Sequence, residues 1–203
     1  MLRNRREDPP CDAATAFALR HDLRPGDLGA LVSLHGTVYA RECGFDSTFE
    51  AQVARLLGEF VQARTDRDQL WIVEREGRIV GSIAVVGHSE KDAQLRWLLV
   101  DPSARSLGLG MKLLHEAVTF CLQCKYEYVF LRSAAALTTG AQLIRSAGFE
   151  KVEERVGQRW GVAVVEEWYV LHPFGRRASS SIATPSSILA SLTEGAASRT
   201  KVR

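Results

Sequence analysis

The sequence is poor in cysteine and has no long apolar segment. It holds four cysteines in 203 residues, too few and too unevenly spaced for a disulfide-stapled secreted fold. No apolar run approaches the roughly 20 residues that cross a bilayer, and residues 1–10 lack the apolar stretch of a secretory signal. We therefore expect free thiols in a reducing compartment, a cytoplasmic location and no membrane partner.

The central part of the chain also lacks an excess of positive charge. The whole chain has 26 Lys and Arg against 24 Asp and Glu, a net charge of +2. Residues 176–203 hold five basic residues and one Glu, and residues 1–10 hold three Arg and two acids. Residues 11–175 are left at about −3, whereas a nucleic-acid-binding domain shows a basic face. We expect no nucleic-acid partner.

The composition divides the chain into one domain and two tails. A hydrophobic content of 46% suits a globular domain, which at about 150 residues buries about two-thirds of its surface. Residues 176–203 are rich in Ser and Ala, so they bury too little surface to offset the entropy of ordering. We expect a flexible segment at 1–16, one domain at 17–175 and a disordered tail at 176–203, with a short helix at 187–192 as the alternative within the tail.

The spacing of apolar residues predicts a mixed three-layer α/β domain in the order β, α, α, β, β, β, α, β, α, β, β. Asp27 after Pro25-Gly26 predicts the N-cap of the first helix, and Ser47 with Glu50 three residues on predicts a capping box for the second. The predicted ranges are strand 17–23, helix 27–40, a helix from 47, two strands within 71–86 around a turn at 76–77, strand 94–100, helix 110–124, strand 126–133, helix 137–147, and strands 149–156 and 162–171.

A glycine-containing loop, RSLGLG at residues 105–110, joins an apolar strand to a helix. Backbone N–H groups at a helix start form a site for a phosphate group, and glycine lets an anion approach the backbone closely. A dinucleotide fingerprint would need a third glycine at Leu113, and the sequence has no GxxxxGK[ST] phosphate loop. A pyrophosphate site therefore remains, with simple helix capping as the alternative.

Residues 100–114, VDPSARSLGLGMKLL, resemble motif A of the GNAT superfamily of N-acetyltransferases. Residues 141–149, AQLIRSAGF, are similar to the later helix of that family, which ends in Gly-Phe. Residues 24–50 and 166–171 look like the acetyltransferase half of bacterial MarR-GNAT fusion proteins. About twenty residues precede the first predicted strand, too few for a winged helix, so the transcriptional half of that function is not carried over.

The resemblance implies the three-layer GNAT fold, with a mixed, mostly antiparallel sheet whose central strands splay apart. It implies acetyl-CoA as co-substrate, no metal, and direct attack by a primary amine in a ternary complex, with a homodimer left open. The Leu99 N–H would stabilise the oxyanion. The residues that the resemblance assigns to acetyl-CoA are Leu98, Leu99, Val100, Arg105, Ser106, Leu107, Gly108, Leu109, Gly110 and Met111.

The sequence departs from the family pattern at two positions. Ile144 stands where many members have a Tyr that protonates the thiolate, and Ala134 stands where an Asn is frequent. On the acceptor side, His35, Tyr39 and Glu42 share one face of the first helix. Tyr39 and Glu42 are the candidates for contact with the amine, and ordinary packing or solvation is the alternative.

Two functions from different classes follow from these residues. The leading one is an N-acetyltransferase that acts on a small molecule, an amino acid or a peptide. The alternative is a catalytically weak acetyl-CoA-binding sensor or partner-binding module, because Ile144 and Ala134 remove side chains that the family often uses. Cys121-x-x-Cys124 and His115 are interpreted as ordinary helix residues.

Removal of both tails should leave a folded chain, because residues 1–12 and 176–203 lack the apolar content of the rest. A chain of residues 13–175 should be soluble and bind acetyl-CoA as the full chain does, measured by calorimetry. Loss of affinity in the shortened chain alone would mean that the domain boundary is wrong.

Overall fold

A computed structural model describes residues 17–175. The predicted segment 1–16 and the tail 176–203 lie outside the described residues, so these two boundaries stay predictions. The described elements are β1 (Phe17–Arg20), α1 (Asp27–Cys43), α2 (Ser47–Ala63), β2 (Gln69–Arg75), β3 (Arg78–Gly87), β4 (Asp92–Val100), a 3-10 turn (Pro102–Ala104), α3 (Leu109–Gln123), β5 (Tyr128–Ala134), α4 (Thr138–Ser146), β6 (Glu150–Arg159) and β7 (Val162–Leu171).

The predicted order of elements is confirmed, and the two predicted helix caps are wrong. Gly26, in the left-handed region, precedes α1, while the Asp27 carboxylate accepts hydrogen bonds from the buried guanidinium of Arg20. The cap of α2 is Asp46, whose side chain accepts the Thr48 N–H at 2.9 Å. At α2 the Asp46 carboxylate thus accepts an N–H of the first helical turn, as the predicted cap was expected to do. At α1 the Asp27 carboxylate is bound to Arg20 instead, and no side chain caps the helix.

The described residues form one seven-stranded sheet in the order β1-β2-β3-β4-β5-β7-β6. Within residues 17–175 the pairing of β4 with β5 is parallel and the other five neighbouring pairs are antiparallel. The predicted mixed, mostly antiparallel sheet is therefore confirmed.

Helices cover both faces of the sheet and complete three layers. Leu70, Ile72 and Ala84 pack with α1 and α2, whereas Trp71 and Val73, which alternate with them along β2, pack with α3 and α4. Successive residues of a strand point to opposite faces, so the two helix pairs lie on opposite sides. No helix among the described residues has the length and apolarity needed to span a bilayer.

A buried ion-pair cluster ties the start of α1 to the sheet edge. Arg20 bonds to Asp27 at 2.8 Å and to Glu74 at 2.7 Å, with the Arg20 side chain 7% exposed. The Arg20 guanidinium holds the pKa of Asp27 and of Glu74 below their usual values. These bonds connect three segments of the chain, so the cluster fixes where α1 begins relative to β1 and β2.

Replacing Arg20 with Met should lower the free energy of unfolding by about 3 kcal/mol, because it leaves the buried Asp27 carboxylate without its cation and removes one of the two cations beside Glu74. Urea unfolding measures this loss. The matched control is Arg24→Met, since Arg24 contacts the same Glu74 but is 55% exposed and should contribute less than about 1 kcal/mol. Equal losses for the two variants would contradict the role given to the buried cluster.

Candidate active site between the splayed strands

The two central strands part halfway along their length. β4 and β5 pair from Asp92 with Tyr128 to Leu95 with Leu131, and their pairing ends there. At the same level β4 bulges against β3, and Trp97 takes a left-handed φ of 53°. A bulge bends and twists its strand, and it coincides here with the divergence. A cavity of about 630 Å³ opens between the separated ends.

The register between β3 and β4 decides which peptide groups face this cavity. The Asp101 N–H donates to the Val80 carbonyl at 2.8 Å, and two residues along the same ladder Leu99 is paired with Ser82. In an antiparallel ladder every second residue turns its N–H and C=O to the partner strand. The peptide groups of Leu99 therefore face β3 and not the cavity.

By the same alternation the peptide groups of Leu98 and Val100 face the cavity. The Val100 carbonyl accepts a hydrogen bond from Arg105 Nε at 3.1 Å, which places that carbonyl on the open side. The expectation that the Leu99 N–H is the free donor is corrected accordingly. The β-bulge between β3 and β4 shifts the register at this point, and a bulge re-aims the residues beside it. The apolar pattern of β4 did not reveal that bulge.

The predicted phosphate loop lies at the end of the cavity and has the backbone of an anion site. Ser106 and Gly108 both take positive φ values, 66° and 73°. α3 then begins at Leu109, and no side chain caps its first turn. Uncapped N–H groups at a helix start carry the positive end of the helix dipole. The loop therefore offers several backbone donors to one anion.

The two glycines of the loop are needed for different reasons. At Gly108 a Cβ would meet nothing within 4 Å, but the positive φ strains any other residue. At Gly110 a Cβ would lie 2.7 Å from Leu143 Cδ2 of α4, and the backbone there is not left-handed. Gly110 thus also makes room for Leu143 between α3 and α4, and its predicted role in close approach of an anion stays a prediction.

Arg105 links the loop to helix α1. Its Nη1 lies 2.7 Å from Glu42 Oε1, with the two side chains 34% and 27% exposed. Glu42, predicted as an acceptor-side candidate with a solvated charge as the alternative, is held in this ion pair, and its contact with the amine stays a prediction. Sequence reasoning could not find the pair, because 62 residues separate its partners.

His35 and Tyr39 line the cavity from α1 in a largely apolar setting. The His35 side chain is 2% exposed, its Nδ1 lies 2.8 Å from the Leu31 carbonyl, and its Nε2 has no hydrogen-bond partner among the described residues. Burial lowers the pKa of His35 to about 4, so the ring is neutral at pH 7. Burial also raises the pKa of Tyr39 well above its usual range.

Tyr39 belongs to an aromatic cluster that closes one side of the cavity. Its ring lies 4.5 Å from Phe49 and 5.6 Å from Phe45, centroid to centroid, and Trp160 of the β6–β7 turn lies 4.7 Å from Phe45. Tyr39 thus packs in this aromatic cluster and also lines the cavity, and its contact with the amine stays a prediction. Within residues 17–175 it is the one tyrosine that lines the cavity.

The remaining predicted residues divide into those at the cavity and those away from it. Leu98, Leu99, Val100, Arg105, Ser106, Gly108, Leu109, Gly110 and Met111 line it, as do Ala134 and Ile144. Leu107 does not and is 53% exposed. Cys121, His115 and Cys124 lie elsewhere, and burial raises the pKa of the Cys121 thiol to about 12, as expected of an inert core thiol.

Three charged residues at the cavity were missed by the sequence analysis. Arg96 and Arg132 are cations within otherwise apolar strands, and Glu166 lies beside Arg132 on β7. A charge inside an apolar strand is a signal that could have been read, because such residues are rarely buried without a partner. No group of three or more His, Cys, Asp or Glu side chains with metal-binding geometry occurs in the described part.

Comparison with known proteins identifies the fold. Residues 66–151 match the model of the acetyltransferase (GNAT) domain. The yncA protein of Salmonella typhimurium, solved with its cofactor acetyl-CoA, superposes with a TM-score of 0.66 at 14% identity, covering 82% of this chain and 99% of that one. An acetyltransferase from Streptococcus agalactiae superposes with a TM-score of 0.64 at 21% identity, covering 77% and 98%. The chain therefore has the GNAT acetyltransferase fold.

One curated relative also matches over part of its length. N-acetylaspartate synthetase of Xenopus tropicalis is 29% identical over 83 residues, which are 40% of this chain and 31% of that protein. The chain thus aligns with about a third of this relative. The likeness of residues 24–50 to MarR-GNAT fusion proteins stays a prediction.

The free energy of unfolding should fall as the pH is lowered from about 6.5 to 4, in part because of His35. The unfolded imidazole takes up a proton near pH 6.5, whereas burial keeps the folded pKa at about 4. Between these values the unfolded state binds more protons, so acid favours unfolding, by at most about 3 kcal/mol for this group. Urea unfolding at pH 7 and pH 5 should show a smaller pH dependence in His35→Gln than in the parent.

The control is His115→Gln, on the exposed side of α3, which should keep the parent's pH dependence. A nuclear magnetic resonance titration that gives folded His35 a pKa above 6 would contradict the prediction.

Proposed function

We propose that this chain, which has the fold of the GNAT acetyltransferases, transfers the acetyl group of acetyl-CoA to a primary amine of a small molecule, amino acid or peptide. The observation that carries the proposal is the continuity of one cavity. It extends from the uncapped start of α3, between the parted ends of β4 and β5, to the side chains of α1 and α2. A long anionic cofactor and a second substrate could therefore meet within it.

The residues present suit coenzyme A. The 105–110 loop would hold the pyrophosphate through backbone N–H groups, and the cavity-facing edge of β4 at Leu98 and Val100 would pair with the amide groups of the pantetheine arm. When bound, acetyl-CoA supplies a thioester carbonyl that an amine can attack. The N–H of Leu98 or Val100 would polarise that carbonyl, a contribution of a few kcal/mol in other acyl transfers.

Few side chains of the cavity are available to remove a proton from the acceptor amine. A lysine-like amine has a pKa of about 10.4 and must lose a proton before it attacks. The carboxylates that line the cavity within the described residues are Glu42 and Glu166, and both already hold an arginine in an ion pair. We assign proton removal to water that reaches these groups, and we assign to Tyr39, which stays protonated, the role of a hydrogen-bond donor in the cavity.

The Arg105–Glu42 pair connects the two halves of the proposed site. A bound pyrophosphate would offer Arg105 a second anion, and any weakening of the ion pair would free Glu42 on the acceptor side. Binding of the cofactor at the loop would in this way change the charge on the acceptor side of the cavity, where the amine would bind.

The second candidate function is an acetyl-CoA-binding module with weak catalysis. It is favoured by Ile144 and Ala134, which are 3% and 8% exposed at the cavity and carry no group that moves a proton. Calorimetry with acetyl-CoA, followed by thiol release across a panel of amines, separates the two. Binding with no thiol release would favour the module.

The domain boundaries and the cellular location belong to the same proposal. We place the catalytic domain at residues 17–175 and the protein in the cytoplasm. The described cysteines, Cys43, Cys121 and Cys124, are free, which supports a reducing compartment. A homodimer remains open.

Replacement of Gly108 with Val should weaken acetyl-CoA binding at least about tenfold, because a branched residue at φ 73° distorts the loop that would hold the pyrophosphate. Arg105→Ala should weaken it less, since its guanidinium is partly exposed and already paired. Calorimetry with acetyl-CoA and 3′-dephospho-CoA should show the same ranking, and pantetheine, which lacks the pyrophosphate, should be insensitive.

The matched control is Gly77→Val in the β2–β3 turn. Gly77 has a φ of 74° and, like Gly108, nothing within 4 Å of a Cβ, so the backbone strain is equal and only the position differs. If Gly108→Val bound acetyl-CoA as Gly77→Val does, the pyrophosphate assignment would fail.

A further inference from the structure

Two arginines face each other at the fork between β4 and β5. The last parallel pair joins Leu95 to Leu131, so Arg96 and Arg132 are the first residues of each strand beyond it. Both line the cavity. Their guanidinium groups are close enough for the charge of Arg132 to add to the effect of burial, which lowers the pKa of Arg96 to about 10.

Both arginines lie on the side of the sheet covered by α1 and α2. Leu95 and Leu131 pack in the core beneath α3 and α4, and the next residue of a strand points to the opposite face. The Arg132 guanidinium accordingly stacks on Trp168, 5.1 Å from the ring centroid. On α2 nearby, Arg55 and Glu59 form their own exposed pair.

This position separates the arginines from the phosphate loop. Arg96 precedes Val100 by four residues, about 13 Å at 3.3 Å per strand residue, and the loop begins five residues later still. A pyrophosphate held at residues 105–110 would therefore lie beyond the reach of Arg96. The arginines lie at the end of the cavity where the proposed acceptor enters.

Few carboxylates lie close to the two arginines of the fork. Arg96 Nε donates to the neutral amide oxygen of Gln94 at 2.6 Å. The Glu59 carboxylate acts on the charge of Arg96 only from a distance, since Glu59 forms its ion pair with Arg55. Arg132 lies 3.9 Å from Glu166, and that same carboxylate is bound at 3.0 Å by Arg159. Arg132 and Arg159 thus share one carboxylate, and among the described residues Arg96 has no ion pair of its own, so the cations lining this part of the cavity favour binding of an anion.

We propose that Arg96 and Arg132 bind a carboxylate of the acceptor, so that the substrate class is a small amine that also carries a carboxylate. The proposal rests on the acetyl transfer proposed above. Guanidinium groups present paired N–H donors that match the two oxygens of a carboxylate. A carboxylate held at the fork would leave the amine of a small acceptor in the opening, toward the cavity-facing peptides of β4.

The test compares matched acceptors in thiol release from acetyl-CoA by the full chain. The pairs are L-aspartate with L-asparaginamide and L-alanine with L-alaninamide, each pair differing in its carboxylates. Arg96→Gln and Arg132→Gln should lower kcat/KM for the carboxylate acceptors about 10- to 100-fold, the loss expected for a hydrogen bond to a charged group. The amide acceptors should change less than about twofold. Because each variant is compared with the parent on the same acceptor, differences in amine pKa cancel.

Two further variants serve as controls for this comparison. Arg96→Lys keeps the charge without the paired donors and should retain part of the carboxylate activity. Arg55→Gln removes an arginine of α2 that is 61% exposed and should leave every acceptor unchanged. Circular dichroism of each variant checks its fold.

Equal losses for carboxylate and amide acceptors would overturn the proposal. So would a parent that prefers putrescine or O-phosphoethanolamine to the carboxylate acceptors. No thiol release with any amine would contradict the proposed acetyl transfer. Calorimetry with L-aspartate in the presence of CoA would then test the carboxylate site by itself. Binding that is lost in Arg96→Gln would support the carboxylate site, and no binding to the parent would overturn it.

Discussion

The separation of β4 from β5 is the constraint on which the rest of the site depends. Two parallel strands that stayed paired to their ends would leave no free peptide groups and no cavity between them. Here pairing ends at Leu95, where β4 bulges, and Ser82 Oγ donates to the displaced Trp97 carbonyl at 2.7 Å. The hydrogen bond satisfies a carbonyl that the bulge takes out of the ladder, which helps a strained φ to persist in a buried strand.

The same separation sets the electrostatics of the cavity. At its loop end the donors are backbone N–H groups, whose orientation is fixed and whose partial charge needs no counter-ion. At the fork the charges are those of the Arg96 and Arg132 side chains, with Glu166 beside Arg132. Between them the lining is mostly apolar, which keeps His35 neutral and Tyr39 protonated. An anion at each end and a neutral reacting centre between them fit this distribution.

Contacts far apart in sequence hold the two halves of the site together. The Arg105–Glu42 ion pair joins the loop before α3 to the end of α1. The aromatic cluster around Phe45 joins the turn after α1 to Trp160 in the β6–β7 turn. Both contacts involve the end of α1 or the turn that follows it, so movement of residues 42–45 would change the cofactor end and the acceptor side together.

The sequence by itself determined the elements and the loop, because these depend on local chemistry. Apolar periodicity set the order of helices and strands, and the glycines before α3 indicated an anion site. Tertiary structure decided what depends on distant pairing: that the peptide groups of Val100 and not those of Leu99 face the cavity, that Gly110 packs against Leu143, and that Glu42 is held by Arg105. It also placed Arg96 and Arg132 together at the fork. The physical reason is that the bulge between β3 and β4, the ion pair and the divergence of β4 from β5 arise from contacts between segments that are distant in sequence.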